Sequence, residues 1–179
     1  MSDYSVRRLS AAEAETAIPA LADILLDIVE GGASVGFMAP LSREKAEAFW
    51  RGIAQGVAAG VRALMIAEDP ATGEALGTAQ VVWDLPENQP HRADVAKVLV
   101  KRRARGRGIA AALMRACDEA AREAGKSILV LDTASAQAER LYERAGWTRV
   151  GPVPDFALLP DGRFCDTVFH YKRLNRVNP

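Results

Sequence analysis

The sequence has few of the residues that build disulfide-linked or metal-dependent proteins. It contains two cysteines, Cys117 and Cys165, and two histidines among 179 residues. Two cysteines are too few for a disulfide framework, and their spacing matches no common metal-ligand pattern. We therefore expect no metal, and a reducing cytosolic setting is the default for such a chain.

Net charge and long apolar runs are also absent. Lys and Arg together number 23, as do Asp and Glu, so the formal net charge is zero and a nucleic-acid partner is disfavoured. Residues 1–8 lack an apolar signal core, and no apolar run approaches membrane-spanning length. These absences predict a cytoplasmic protein with no membrane partner. An apolar content of 49% and this length indicate a single globular domain over residues 1–179.

Apolar periodicity and turn residues predict alternating helices and strands. Ser10 and Glu13 have the spacing of a capping box, which begins a helix that bends near Pro19. Residues 30–41, rich in glycine, predict a loop. In full, the patterns predict helices near 10–29, 42–59, 109–124 and 136–145, and strands near 61–68, 75–84, 92–100, 127–131, 147–150 and 163–174.

The segment that joins the third strand to the third helix, residues 103–110, is the most informative. It reads Arg-Ala-Arg-Gly-Arg-Gly-Ile-Ala. Glycines let a backbone approach a ligand closely, and a helix N-terminus offers unpaired N–H groups and a positive dipole end. The pattern predicts a site for a phosphorylated small molecule. The alternative is a solvated run of arginines after a strand.

Two motifs in this sequence resemble those of the GNAT superfamily of acetyl-CoA-dependent N-acetyltransferases. Arg103, Gly106 and Gly108 fit its pyrophosphate signature, and residues 138–147 resemble its Ala-x-x-Leu-Tyr-x-x-x-Gly-aromatic segment. The resemblance covers roughly residues 61–174. It implies an α/β fold of the α+β type, with a mixed, mostly antiparallel sheet flanked by helices and a splayed central parallel strand pair. It also implies acetyl-CoA as the acetyl donor.

A closer resemblance is to the tabtoxin-resistance-type acetyltransferases. It rests on residues 32–37, 88–95, 131–133 and 157–162, the last followed by Cys165-Asp166. Two features depart from that group. Asp94 stands where Glu is more usual, and the segment 134–137 is about one residue shorter. The resemblance therefore indicates a subfamily and not one substrate.

The resemblance to the superfamily also assigns cofactor-binding residues. It implies that backbone N–H groups of residues 105–110 bind the pyrophosphate and that neighbouring arginine side chains add attraction. The pantetheine arm is expected beside the third strand, pairing with backbone near Val98–Val100. The full expected set is Val98, Leu99, Val100, Arg103, Arg105, Gly106, Arg107, Gly108, Ile109, Ala110, Ser135, Ala138 and Tyr142.

Acetyl transfer to an amine requires a base, because an alkyl ammonium has a pKa of about 10. Asp94 and Asp132 are the candidates, with His91 as a third. Each also has a structural interpretation: a solvent-facing strand residue, a helix N-cap and a loop histidine, respectively. The superfamily commonly uses the tyrosine at the position of Tyr142 to protonate the departing thiolate, so Tyr142 is the candidate general acid.

The predicted loop 30–41 is expected to cover an acceptor site. The candidate acceptor-binding residues are Glu30, Ser34, Phe37, Trp83, His91 and Asp155. Three further aromatic residues, Trp50, Trp147 and Phe156, are candidates for its lining, and for each of them a place in the core is the alternative.

These observations favour an N-acetyltransferase for the amine of a small molecule, with direct attack in a ternary complex. By resemblance, the acceptor is an amino-acid-like or β-lactam toxin, and the role is detoxification or resistance. Acetylation of a protein or peptide is one alternative, and a non-catalytic acyl-CoA-binding module is another. Sheet edges are common dimer surfaces in the superfamily, so a homodimer remains open.

Overall fold

A computed structural model describes residues 3–174 of the chain. Its elements, in chain order, are β1 (Ser5–Arg8), α1 (Ala11–Thr16), α2 (Ile18–Glu30), α3 (Arg43–Ala58), β2 (Arg62–Glu68), β3 (Ala75–Val82), β4 (Arg92–Val100), α4 (Ile109–Glu123), β5 (Ile128–Thr133), α5 (Ala136–Arg144), β6 (Thr148–Leu158) and β7 (Phe164–Arg173). The sequence therefore predicted most elements in the correct order.

The seven strands form one sheet in the order β1-β2-β3-β4-β5-β7-β6. Neighbouring strands are antiparallel except β4 and β5, which are parallel and pair over Arg92–Asp94 and Ile128–Val130. Beyond these residues, β4 continues beside β3 and β5 continues beside β7. The structure thus confirms the predicted mixed sheet with a splayed central parallel pair.

The sheet separates two apolar cores, and strand β2 contributes to both. Met65 and Ala67 belong to the core under α4, whereas Leu64 and Ile66 belong to the core under α1, α2 and α3. This alternation follows from the two-residue period of a strand. Trp50 is fully buried in the second core, so of its two interpretations the place in the core is correct and the place in the acceptor lining is not.

The first predicted helix is two helices. The capping box is present, since the Ser10 hydroxyl accepts from the Glu13 N–H and the Glu13 carboxylate accepts from the Ser10 N–H. The helix ends at Thr16, and a new one begins at Ile18 with Pro19 in its first turn. Proline lacks the N–H that a continuous helix would need there, whereas it fits a first turn well.

Two strands at the edges of the sheet differ from the prediction. Strand β1 was not predicted, because its four residues are mostly exposed and show no apolar alternation. Strand β6 extends to Leu158, well past the predicted end at residue 150, and it includes Pro152 and Pro154. Prolines argue against a central strand. They are tolerated in β6 because it lies at the edge, where a missing N–H faces solvent.

Candidate active site

A cleft of about 970 Å³ opens where β4 and β5 separate. Its walls are residues 31–35 after α2, the end of β4, the turn before α4, the first part of α4, and α5 along its length. Most of the predicted cofactor residues line it, namely Val98, Leu99, Val100, Arg105, Gly106, Gly108, Ile109, Ala110, Ser135, Ala138 and Tyr142. The volume lies in the usual range for a small-molecule site.

The turn before α4 presents backbone donors to this cleft. Gly106 and Gly108 have φ angles of 79° and 81°, and Gly108 is the N-cap of α4 without a side-chain cap. Within residues 3–174, no backbone carbonyl accepts from the N–H groups of Gly106, Arg107 or Gly108. The first turn of α4 also contains no acidic residue. These donors and the helix dipole together suit a phosphate group.

A bulge in β4 lies beside the cleft. Gln80 of β3 pairs with Ala96 and Thr78 pairs with Leu99, so β4 carries one extra residue over this interval. Lys97, inside the bulge, has a φ angle of 52°. A bulge interrupts the ladder of hydrogen bonds and re-aims side chains. Val98, next to Lys97, consequently lines the cleft.

The two candidate carboxylates share one face of the sheet. Ala93 and Leu131 belong to the core under α4, so the alternation of side chains places Asp94 and Asp132 on the opposite face. Arg92 donates to both Asp94 oxygens, at 2.9 and 3.3 Å. Burial raises the pKa of Asp94, Arg92 lowers it, and the charge of Asp132 raises it further, for a net increase. The Thr167 hydroxyl donates to Asp132 at 2.7 Å.

Tyr142 lies on the other face of the sheet, in the core under α4, and its side chain lines the cleft. Its ring packs against Trp147 and His170, with centroids 6.1 and 5.8 Å away. Burial and the charge of Asp132 raise its pKa to about 12. The phenol therefore keeps its proton at neutral pH and can donate it.

A family model identifies this arrangement. Residues 27–147, more than half of the chain, match the acetyltransferase (GNAT) family. The chain belongs to this family. It is an acetyl-CoA-dependent acetyltransferase with the fold that the two sequence motifs imply.

Three relatives support this assignment. An uncharacterized N-acetyltransferase of Azospirillum brasilense, from the hisH-hisA intergenic region, is 31% identical over 76% of this chain and 79% of its own. The ribosomal-protein-alanine N-acetyltransferase of Brucella melitensis superposes with a TM-score of 0.79, at 25% identity over 95% and 99% of the two chains. A phosphinothricin acetyltransferase of Sinorhizobium meliloti, solved with acetyl-CoA, superposes with a TM-score of 0.75, at 19% identity over 99% and 93%.

Most arginines near the turn of this acetyltransferase are bound to carboxylates or carbonyls. Arg103 pairs with Glu74, whose pKa is lowered to about 2 by Arg103 and Lys101, and it does not line the cleft. The Arg107 guanidinium donates to the Asp3 carbonyl at 2.9 Å and also lies outside the lining. Arg105 is the predicted arginine that reaches the cleft.

The candidate acceptor-binding residues do not all gather at one place. Ser34 lines the cleft, and Phe37 packs edge-on against Phe49 with centroids 5.1 Å apart. The side chain of Glu30 is 77% exposed and pairs with Arg102. Asp155 is exposed.

Trp83 and His91 lie elsewhere. The Trp83 indole donates to the Gly60 carbonyl at 2.8 Å, outside the cleft lining. His91 is exposed before β4, and its carbonyl accepts from the N–H groups of Ser127 and Ile128. Trp147, in turn, is buried in the core under α4, and Phe156 is half exposed and packs against Phe169.

An ion pair in the wall of the cleft was not predictable from the sequence. Lys172 donates to Asp118 at 2.5 Å and to the Ala145 carbonyl at 2.7 Å, which ties β7 to α4 and to the end of α5. Both charged side chains line the cleft. No sequence signal links two residues 54 positions apart, although an aspartate beside the buried Cys117 was a hint that it has a partner.

No helix within the described part of the chain is long and apolar enough to cross a membrane. Across the same residues, no group of three or more His, Cys, Asp or Glu side chains is placed to hold a metal ion.

Proposed function

We propose that this acetyltransferase acetylates the amine of a small molecule by direct attack in a ternary complex. The observation that carries the proposal is a loop segment over the cleft, residues 32–37, which we call the roof. The Ser34 hydroxyl donates to the Leu158 carbonyl at 3.1 Å, and the Ala39 N–H donates to the Pro160 carbonyl at 3.0 Å. The loop after α2 is thereby fastened to the β6–β7 turn. A roofed pocket suits a compact acceptor better than a polypeptide, which needs an open groove.

Further similarities support an amino-acid-like acceptor. The segments that resemble tabtoxin-resistance-type acetyltransferases include the roof itself, residues 32–37, and the β6–β7 turn, residues 157–162. The Sinorhizobium meliloti relative is named for phosphinothricin. An amino-acid-like or β-lactam toxin and a resistance role fit both similarities. The two cysteines, free of disulfides, are consistent with the cytoplasmic location that the sequence predicts.

The geometry supports a division of the two substrates between the faces of the sheet. Acetyl-CoA supplies the acetyl thioester, with its pyrophosphate at the N–H groups of residues 106–110, since the Arg105 N–H already donates to the Arg102 carbonyl, and with its arm beside Val98–Val100. Asp94 or Asp132 receives the proton of the acceptor ammonium, directly or through a water. The neutral amine forms the new C–N bond as the C–S bond breaks. Tyr142 donates its proton to the sulfur, and the nitrogen loses its second proton as it becomes an amide, which returns a proton to the phenolate directly or through a water.

The turn before α4 gives the first prediction. Gly106→Ala forces alanine into a left-handed conformation, which strains the backbone by about 1–2 kcal/mol and turns the N–H donors. We expect the Kd for acetyl-CoA to rise by about tenfold or more, as each tenfold costs about 1.4 kcal/mol. Calorimetric titration measures the Kd. Gly73→Ala is the matched control, since Gly73 has a φ angle of 72° and, like Gly106, no neighbour within 4 Å of an added Cβ. Equal affinities in both variants would contradict this placement of the pyrophosphate.

Release of CoA thiol with a panel of amines tests the function itself. The panel contains amino acids, simple amines and peptides with free N-termini or lysines. We expect turnover of small acceptors, and a single-turnover rate about 10²–10⁴-fold lower in Tyr142→Phe. Turnover of peptides alone would favour the protein-acetyltransferase alternative. Acetyl-CoA binding without any turnover would favour the non-catalytic module, and full single-turnover activity in Tyr142→Phe would exclude the proton-donor role.

The raised pKa of Asp94 gives a pH prediction. A base works only when deprotonated, so kcat/KM rises with pH through the pKa of the base, which for Asp94 lies above the ordinary aspartate value. Asp94→Asn or Asp132→Asn, whichever removes the base, lowers kcat/KM by about 10²–10⁴-fold and abolishes that acidic limb. The pH–rate profile of each variant is the measurement. An unchanged profile in both would show that neither carboxylate is the base.

A homodimer is the assembly that the exposed edge of the sheet supports. Val150, Phe156 and Phe164 on β6 and β7 are 67%, 50% and 70% exposed. Apolar side chains clustered on one strand pair typically mark an interface. Sedimentation equilibrium is expected to give the mass of a dimer, and Phe164→Asp is expected to shift the protein toward monomer. A monomeric wild-type protein at micromolar concentration would refute the assembly.

A further inference from the structure

Lys97 is a largely buried lysine that the proposed chemistry does not use. It occupies the β4 bulge with a φ angle of 52°, a left-handed conformation in which glycine is usually found. In folded proteins a lysine is rarely buried unless its ammonium has a partner. Within residues 3–174, no carboxylate oxygen lies within 4.0 Å of Lys97 Nζ. Lys97 is therefore a partly buried cation without a carboxylate partner, in a backbone conformation that is unusual for lysine.

The surroundings of Lys97 place its ammonium beneath the roof. Lys97 Nζ lies 5.7 Å from the ring centroid of Phe49, which packs against Phe37 of the roof. A Cβ added to Gly36, also in the roof, would lie 3.8 Å from Lys97 Nζ. The ammonium is thus enclosed between α3 and the roof. The next residue, Val98, lines the cleft.

Charged groups of both signs lie near the place where β4 and β5 separate. Asp94 and Asp132 lie on the same face of the sheet as Phe49, since Phe49 packs against the core under α1, α2 and α3. Burial lowers the pKa of Lys97, and the negative charge of Asp132 opposes this shift, although the two side chains do not form an ion pair. Asp94 pairs with Arg92 at 2.9 Å, and its side chain stays 37% exposed, so its carboxylate can face a second cation. The sheet face beneath the roof therefore carries both carboxylates and an ammonium without a carboxylate partner, next to the cleft wall at Val98 and Thr133.

We propose that Lys97 binds a carboxylate of the acceptor, while Asp94 and Asp132 receive its ammonium, so that the acceptor is an amino acid or a close analogue. The inference rests on the proposed small-molecule activity and specifies its substrate class. An acceptor with a carboxylate and an ammonium would match the opposite charges on this face of the sheet. It would also provide the counter-ion that a buried ammonium requires. The strained conformation at residue 97 is what directs the lysine under the roof.

The test compares acceptors that differ by the carboxylate. The pairs are leucine with 3-methylbutylamine and phenylalanine with 2-phenylethylamine. We expect Lys97→Met to raise KM for the amino acids by about 10–100-fold, the range for a lost charged hydrogen bond, with little change in kcat. It should leave KM for the matching amines unchanged. Lys97→Arg, which keeps the charge, should restore part of the loss. Lys45→Met, at an exposed lysine of α3, is the control.

Each outcome decides the inference. Equal losses for amino acids and amines in Lys97→Met would overturn it, because the lysine would then act on the fold or on both substrates. A wild-type preference for the decarboxylated amines would overturn it as well, while leaving the small-molecule activity established. If no small amine is acetylated, both the proposed function and this inference fail. The Kd for acetyl-CoA, measured in Lys97→Met, is expected to stay at the wild-type value and verifies that the variant is folded.

Discussion

The separation of β4 from β5 is the constraint on which the rest of the site depends. The two strands share a parallel ladder at Arg92–Asp94 and Ile128–Val130, and each then follows its other neighbour. A sheet that opens in this way exposes strand ends at its centre, where a ligand can approach backbone from both faces. The turn before α4 and the start of α5 border the same opening. Donors for a phosphate and the candidate proton donor Tyr142 are therefore brought together by one break in the hydrogen bonding.

The same opening separates the chemical roles by face. Asp94, Asp132 and Lys97 lie on the face covered by α3 and the roof, whereas Tyr142 belongs to the core under α4. The charge of Asp132 nevertheless acts on both Tyr142 and Lys97. An acceptor entering from one face and a thioester entering from the other would meet at the gap. Few side chains are required to bring the acceptor and the thioester together, because the geometry of the two strands sets the distance between them.

The glycines and the arginines of the basic segment before α4 have different roles in the folded protein. The glycines face the cleft, as their spacing predicts. Arg102 and Arg103 instead hold the segment in place through Asp27 and Glu74. These carboxylates are distant in the sequence, so a prediction from the segment alone assigned every arginine the same role. The bulge at Lys97 was likewise invisible, because a left-handed residue is expected to be glycine or asparagine and the strand pattern runs through it unbroken.

The sequence by itself determined the order of the elements, the glycine turn and the family, because these depend on local periodicity, capping and two motifs of fixed spacing. Tertiary structure decided which polar groups meet. The Asp118–Lys172 pair, the roof fastened at Leu158 and the shared face of Asp94 and Asp132 all join segments far apart in the chain. It also decided that Trp50 is core and that a strand with two prolines continues at the sheet edge. The reason is that local patterns reflect short-range energetics, whereas partners across the fold are chosen by packing and burial.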